Sequence, residues 1–316
     1  MIKYIKLICG FCFFVLIVSC EDNLNPNGQL KEIYVLNCVV RGDTTYQVAT
    51  ISKSYFPADG TTSGVNDDNS IKGAVLRMWS NDKVGIFKDT SVFLSTEQKP
   101  YSFYYANSFQ PDEKSDLVIE AILPDGKKLT SSTTVPSKAA FISDACDDTI
   151  SSNIKLLRFY WNSQRETPVF SIKLKIYYLH LENNQYVQKY FVVPKEYIEK
   201  DNKIYAVYPE LTNNLLYEVN IATINQAMKE ISGDDMNKLN YSITGAVLEV
   251  LSLDDELSKY YYSTNRGVDS YSINLDETDY TNIHGGAGIF GVTIRSNWKI
   301  RFTREYVDKF GYEPFF

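Results

Sequence analysis

Few side chains in this 316-residue chain are of types that do chemistry. Histidine occurs twice, at His180 and His284, and no H-E-x-x-H, C-x-x-C or G-x-S-x-G spacing is present. Zinc hydrolysis and serine-nucleophile chemistry therefore lack their usual residues. His180 ends an apolar run and reads as a packing histidine. The acid clusters Asp147-Asp148, Asp234-Asp235 and Asp254-Asp255-Glu256 are the carboxylates a glycosidase would need on two sides of a bond. They fall at turns or a helix start, where the helix dipole already favours negative charge. Asp67 and Asp68 offer oxygen ligands for calcium, but their spacing fits no EF-hand loop, and an acidic solvated loop is the plainer expectation.

Gly286-Ala287-Gly288-Ile289-Phe290-Gly291 spells G-x-G-x-x-G. In the dinucleotide fingerprint such glycines open a helix whose N-terminus meets pyrophosphate. Here a strand pattern follows, and only 25 residues remain after Gly291. Gly285, Gly286, Gly288 and Gly291 are accordingly read as a structural segment that lets the backbone pass closely beside Phe290. Arg41-Gly42-Asp43 matches the integrin-binding tripeptide, yet Gly-Asp is ordinary hairpin chemistry. No catalytic residue, metal site or cofactor is assigned.

Cys20 is the exception. Lys3 and Lys6 precede an apolar run from Leu7 to Val18, broken only by Gly10. These are the proportions of a secretory signal, too short to span a bilayer. Ile17-Val18-Ser19-Cys20 then resembles a bacterial lipobox. The expectation is that residues 1–19 form a lipoprotein signal peptide and Cys20 becomes the lipidated first residue. The alternatives are an ordinary signal peptide that contains a cysteine, or an uncleaved anchor. Losing Lys3 and Lys6 with the signal takes the net charge from −7 to −9. That balance argues against nucleic acid as a partner and against a polybasic grip on anionic lipid. Membrane attachment then rests on the lipid of Cys20, where several acyl chains would make it stable. Cys38 and Cys146 remain; an oxidising compartment permits a bridge, while Cys38 in an apolar run suits a small buried hydrophobe.

The elements around these residues are strands. Tyrosine (24) and phenylalanine (17) far outnumber tryptophan (3), a composition that favours strands and also suits an aromatic binding surface. Residues 20–31 are polar, with Pro26 and Gly28, and read as a tether. Residues 32–136 carry about seven short strand patterns, among them Glu32–Arg41, Tyr46–Lys53, Ile71–Ser80, Val84–Asp89 and Asp116–Leu123, and read as an antiparallel Ig-like or transthyretin-like β-sandwich. Residues 137–153 read as a linker. Residues 154–316 read as a second β-rich domain with a few short helices, at Asn220–Ile231 and Asp254–Thr264. The class is mainly β. Phe302, Tyr306, Phe310, Tyr312 and Phe316 share a period of two, as in the closing strand of an outer-membrane barrel, but Gly311, Pro314 and the intervening charges dilute it.

The order of these pieces resembles the Bacteroidota lipoprotein family catalogued as domain of unknown function 4249. The residues that carry the resemblance are SCED at Ser19–Asp22, EIYVLNCVV from Glu32, KGAVLRMWS from Lys72, DLVIEAILPDGKKLTSSTTVP from Asp116, and NIHGGAGIFG from Asn282. Cys38, where the family pattern has glycine, and Ala287, where it has a larger apolar residue, depart from it. The resemblance implies an outer-membrane, surface-exposed lipoprotein whose gene often neighbours a TonB-dependent receptor, with Glu21 and Asp22 as a surface-export signal. The expected function is a non-enzymatic accessory that binds or presents a nutrient, a glycan or a peptide, to a TonB-dependent transporter. A structural or adhesive envelope protein and a hydrolase with an unrecognised carboxylate site are the alternatives.

Overall fold

A computed structural model describes residues 33–54, 69–93, 100–164, 168–264 and 280–315. Cys20, Glu21 and Asp22, the signal and tether segments, Asp67, Asp68 and Phe316 lie outside the described residues.

The fold is mainly β, with several sheets. Its strands are β1 (Ile33–Arg41), β2 (Gln47–Ser54), β3 (Val75–Ser80), β4 (Lys83–Ile86), β5 (Lys88–Phe93), β6 (Pro100–Ala106), β7 (Asp116–Ile122) and β8 (Lys128–Thr134). After these come β9 (Ala140–Phe141), β10 (Thr149–Ile150), β11 (Leu156–Asn162), β12 (Val169–Glu182), β13 (Gln185–Val193), β14 (Glu196–Lys200), β15 (Lys203–Val207) and β16 (Leu216–Asn220). Helix α1 (Ile221–Glu230), β17 (Tyr241–Leu253), helix α2 (Asp255–Thr264), β18 (Ala287–Phe302), helix α3 (Arg304–Asp308) and β19 (Glu313–Pro314) complete the chain.

Alternation makes the strands one-sided. β1 buries Tyr34, Leu36, Cys38 and Val40, and β7 buries Leu117, Ile119 and Ala121. Those faces meet. The four-stranded sheet β4-β3-β7-β8 packs over the part of the long sheet built from β1, β2, β6 and β5. A second core lies between β12, β17 and the later half of β18 on one side, and β11, β16, α1 and α3 on the other. Asn220 caps α1 by accepting a hydrogen bond from the Ala222 amide (2.9 Å), which satisfies one of the free donors of a helix start.

The two strand-rich blocks are not separate sheets. One sheet runs β13-β12-β17-β18-β1-β2-β6-β5 through both. β18 makes the join: Ala287–Thr293 pair in parallel with Val35–Arg41 of β1, while Thr293–Ile300 pair antiparallel with Leu253–Ala246 of β17. Phe290, Val292 and Ile294 accordingly belong to the first core, and Ile300 and Phe302 to the second. The expected all-antiparallel sandwich therefore contains one parallel pair, contributed from some 250 residues along the chain.

Residues 137–153, expected as a linker, are threaded into the second core. Ala139 and Ile150 are buried there, β9 pairs with β11, and β10 pairs with β18. Val84–Asp89, expected as one strand, is split at buried Phe87, where the chain leaves the four-stranded sheet for the long one. Tyr306, Phe310 and Tyr312, whose period of two suggested a barrel strand, are buried core residues on and after α3.

Candidate functional site

The glycine segment, Asp254 and α2 assemble at the join between the two cores. Asn282 closes the segment on itself: its side-chain amide donates to the Phe290 carbonyl (2.7 Å) and its side-chain oxygen accepts from the Phe290 amide (2.9 Å). A side chain thus supplies both bonds of a strand pair. Gly288 has φ of +114°, and a Cβ there would collide with the Leu36 carbonyl. A Cβ on Gly286 would collide with the Tyr34 carbonyl. Gly285 passes against the Lys128 carbonyl, and Gly291 leaves room for Leu257 of α2. These contacts let β18 lie beside β1 and let α2 pack on β18, a backbone use of glycine rather than a phosphate-binding one.

Asp254 is fully buried at the N-cap of α2. Its carboxylate accepts from the Thr133 hydroxyl (2.5 Å), the Leu257 amide (2.8 Å) and the Val292 amide (2.9 Å). Burial pushes its pKa up to about 6 against the opposing pull of those three donors. The carboxyl thereby fastens β8, α2 and β18 to the end of β17. Nearby Glu256 would be raised by burial, but hydrogen bonds from Tyr280 and Lys259 hold it below the usual carboxylate range. The Asp254-Asp255-Glu256 cluster is built into a helix start, as the dipole reading anticipates.

Several other chemistry-bearing residues are engaged with neighbours. Arg41 and Asp43 pair with each other at 2.8 Å, and Gly42 donates its amide to the Thr293 carbonyl (2.8 Å), so the Arg-Gly-Asp charges turn inward on one another. His180 stacks on Tyr241 with ring centroids 4.3 Å apart and meets Glu182 at 2.9 Å. Cys38 is buried in the first core, and burial pushes its thiol up to about 12. Cys146 exchanges hydrogen bonds with the Tyr160 backbone (3.1 and 3.2 Å). Both thiols are free rather than bridged. Among the described residues no cluster of His, Cys, Asp or Glu could hold a metal ion, and no helix is long and apolar enough to cross a membrane.

A recess that the sequence did not single out lies beside β16. It has a volume of about 820 Å³, lined by Tyr160, Ile172 and Tyr217 together with Glu210, Leu211 and Leu215. A second recess of about 520 Å³, against the β14–β15 hairpin and the start of α1, shares Lys195 and Glu218 with the first. The two form one groove along the strand, with volumes in the range of ligand sites, roughly 300–1,000 Å³. Tyr217 is buried, its hydroxyl has no partner among the described residues, and burial raises its pKa to about 12. Tyr197 donates its hydroxyl to Glu230 (2.9 Å). The only sequence signal for this place was the local mixture of tyrosine and glutamate from Tyr197 to Glu218.

Comparison with known proteins gives one extensive match. A family model described as a domain of unknown function, DUF4249, covers residues 21–296. No curated protein matches the chain. Among solved structures, the full ectodomain (Ig1–Ig3) of mouse nectin-like molecule 4 is 10% identical, with a TM-score of 0.19 over 86% of this chain. The chain spans 65% of that ectodomain's length. The Ig1–Ig2 portion of DIP-gamma is 8% identical, with a TM-score of 0.18 over 72% of this chain and 92% of that one. Neither likeness bears on function.

Proposed function

The chain belongs to the family described as domain of unknown function 4249, and on that premise we propose a non-enzymatic, lipid-anchored surface lipoprotein. Its role is to bind a nutrient, a glycan or a peptide, and to present it to a TonB-dependent transporter of the outer membrane. The observation that carries the binding half is the groove beside β16, about 820 Å³ in its larger part, which sets Tyr160 and Leu215 beside Glu210 and Lys195. Aromatic and aliphatic surface with a few polar groups is the common composition of small-molecule and oligomer sites. The anchoring half is supported by the Lys3–Cys20 signal pattern, and the family match begins at the residue after Cys20. Glu21 and Asp22 then act as the signal for display at the cell surface.

Glycan and peptide arrays probed with the detergent-solubilised, full-length lipoprotein test the binding half. The role requires retention on one class of ligand. Binding to neither array, together with recovery of no transporter, contradicts it.

A further inference from the structure

The two recesses meet along one strand, and that strand has an open edge. β16 is the end strand of the sheet β16-β11-β9. Its bonds to β11 run through alternate residues. The Trp161 amide donates to the Leu215 carbonyl (3.1 Å), and the Ile221 amide to the Lys155 carbonyl (3.0 Å). In the register Phe159↔Tyr217 and Leu157↔Val219, Tyr217 and Val219 face β11 as well. Leu216 and Glu218 therefore turn their N–H and C=O groups away from β11. Both line the larger recess, and Glu218 also lines the smaller. Across the smaller recess stand Tyr197, Ile198 and Ile204 of the β14–β15 hairpin, and among the described residues no strand pairs with this edge of β16.

Two outward donor–acceptor pairs spaced by two residues, about 6.7 Å, are the ladder that an extended peptide completes. A glycan offers no backbone of that repeat. The charge of the groove narrows the peptide further. Glu196, Glu199 and Glu210 make no ion pair among the described residues, Glu218 shares its carboxylate with Arg158 (2.9 Å), and Lys195 is the one lysine of the lining. We propose that the open edge of β16 binds an extended oligopeptide as a fourth strand, with lysine or arginine at alternate positions facing these carboxylates. This deepens the binding role proposed above, rests on it, and follows the general mode of strand addition to a sheet edge.

The test uses the full-length lipoprotein in detergent micelles and fluorescent decapeptides with lysine at every second position. Their glutamate-substituted counterparts and a neutral glycan set are run beside them, read by anisotropy. The lysine peptides should bind and the glutamate counterparts should bind at least about tenfold more weakly. Single N-methylation along the peptide should weaken binding at positions of one parity and spare the other, because alternate amides face β16. Glu218→Pro removes the outward amide and leaves the bonds of Tyr217 and Val219 to β11 intact, a substitution that edge strands accommodate. It should weaken binding about tenfold relative to Glu218→Gln, which keeps that amide. The N-methyl series, made on the ligand, decides the matter even if the proline variant does not fold. Failure of the lysine peptides to bind, or N-methyl effects without a two-residue period, overturns the proposal. Glycan binding without peptide binding overturns the ligand class while leaving the broader binding role standing.

Discussion

Asp254 holds its proton to about pH 6 because burial disfavours its carboxylate more than three donors favour it. In the unfolded chain an aspartate titrates near 3.8. The folded state thus binds the proton more tightly, so this group's favourable contribution is complete below about 3.8 and is lost as pH rises through about 6. A shift of that size corresponds to about 3 kcal/mol between the two protonation states. Asp43, Asp112, Asp125 and Asp148 are held below the usual range and act in the opposite sense on acidification. Carboxyl-carbon NMR with labelled aspartate separates them: the Asp254 resonance should titrate near 6, and a midpoint below 4 would contradict its placement. The second residue with a proposed role is Cys20. Cys20→Ala should leave an unlipidated precursor and release the fold from the membrane fraction; a variant still membrane-bound with unchanged mass would refute the lipobox. The proposal for Cys20 rests on sequence alone, because covalent lipidation needs only a local motif. Asp254 was legible only as a helix start, since its burial depends on Thr133 and Val292, far away in the chain.

Among the elements, β18 does what no local pattern announces. Its first half completes one core beside β1, and its second half completes the other beside β17. Gly288→Val would place a branched side chain against the Leu36 carbonyl at φ +114°. That strains the backbone and the parallel pair together. The expected loss is roughly 2–4 kcal/mol, read as a lowered midpoint in urea unfolding. An unchanged midpoint would mean that the two strands need no such close approach. Half-buried strands such as β1, β2 and β7 were visible in the sequence because strand patterning survives where one face is dry. At the hairpin turn between β12 and β13, Asn183 and Asn184 both have positive φ, as a two-residue hairpin requires. The parallel pairing was hidden because long-range pairing leaves no trace in a local window. Phe302, Tyr306 and Phe310 misled for a different reason: a spacing of four fits a helix face as well as a strand face. Short edge elements such as β14, β15 and β16 carry too few buried positions for a period to show. For that reason the groove they form went unmarked.

At the scale of the molecule, the proposed lipoprotein joins a lipid on Cys20 and a tether of polar residues to a fold whose two cores share one sheet. A net charge of −7 gives no polybasic grip on anionic lipid, so membrane attachment in this proposal rests on the lipid of Cys20. Presentation to a transporter is the proposed role of the whole molecule. Purification of the full-length lipoprotein from detergent-solubilised outer membrane, with identification of what accompanies it, tests that claim most directly. The account predicts recovery of a TonB-dependent transporter subunit. Recovery of the lipoprotein with no transporter would contradict it.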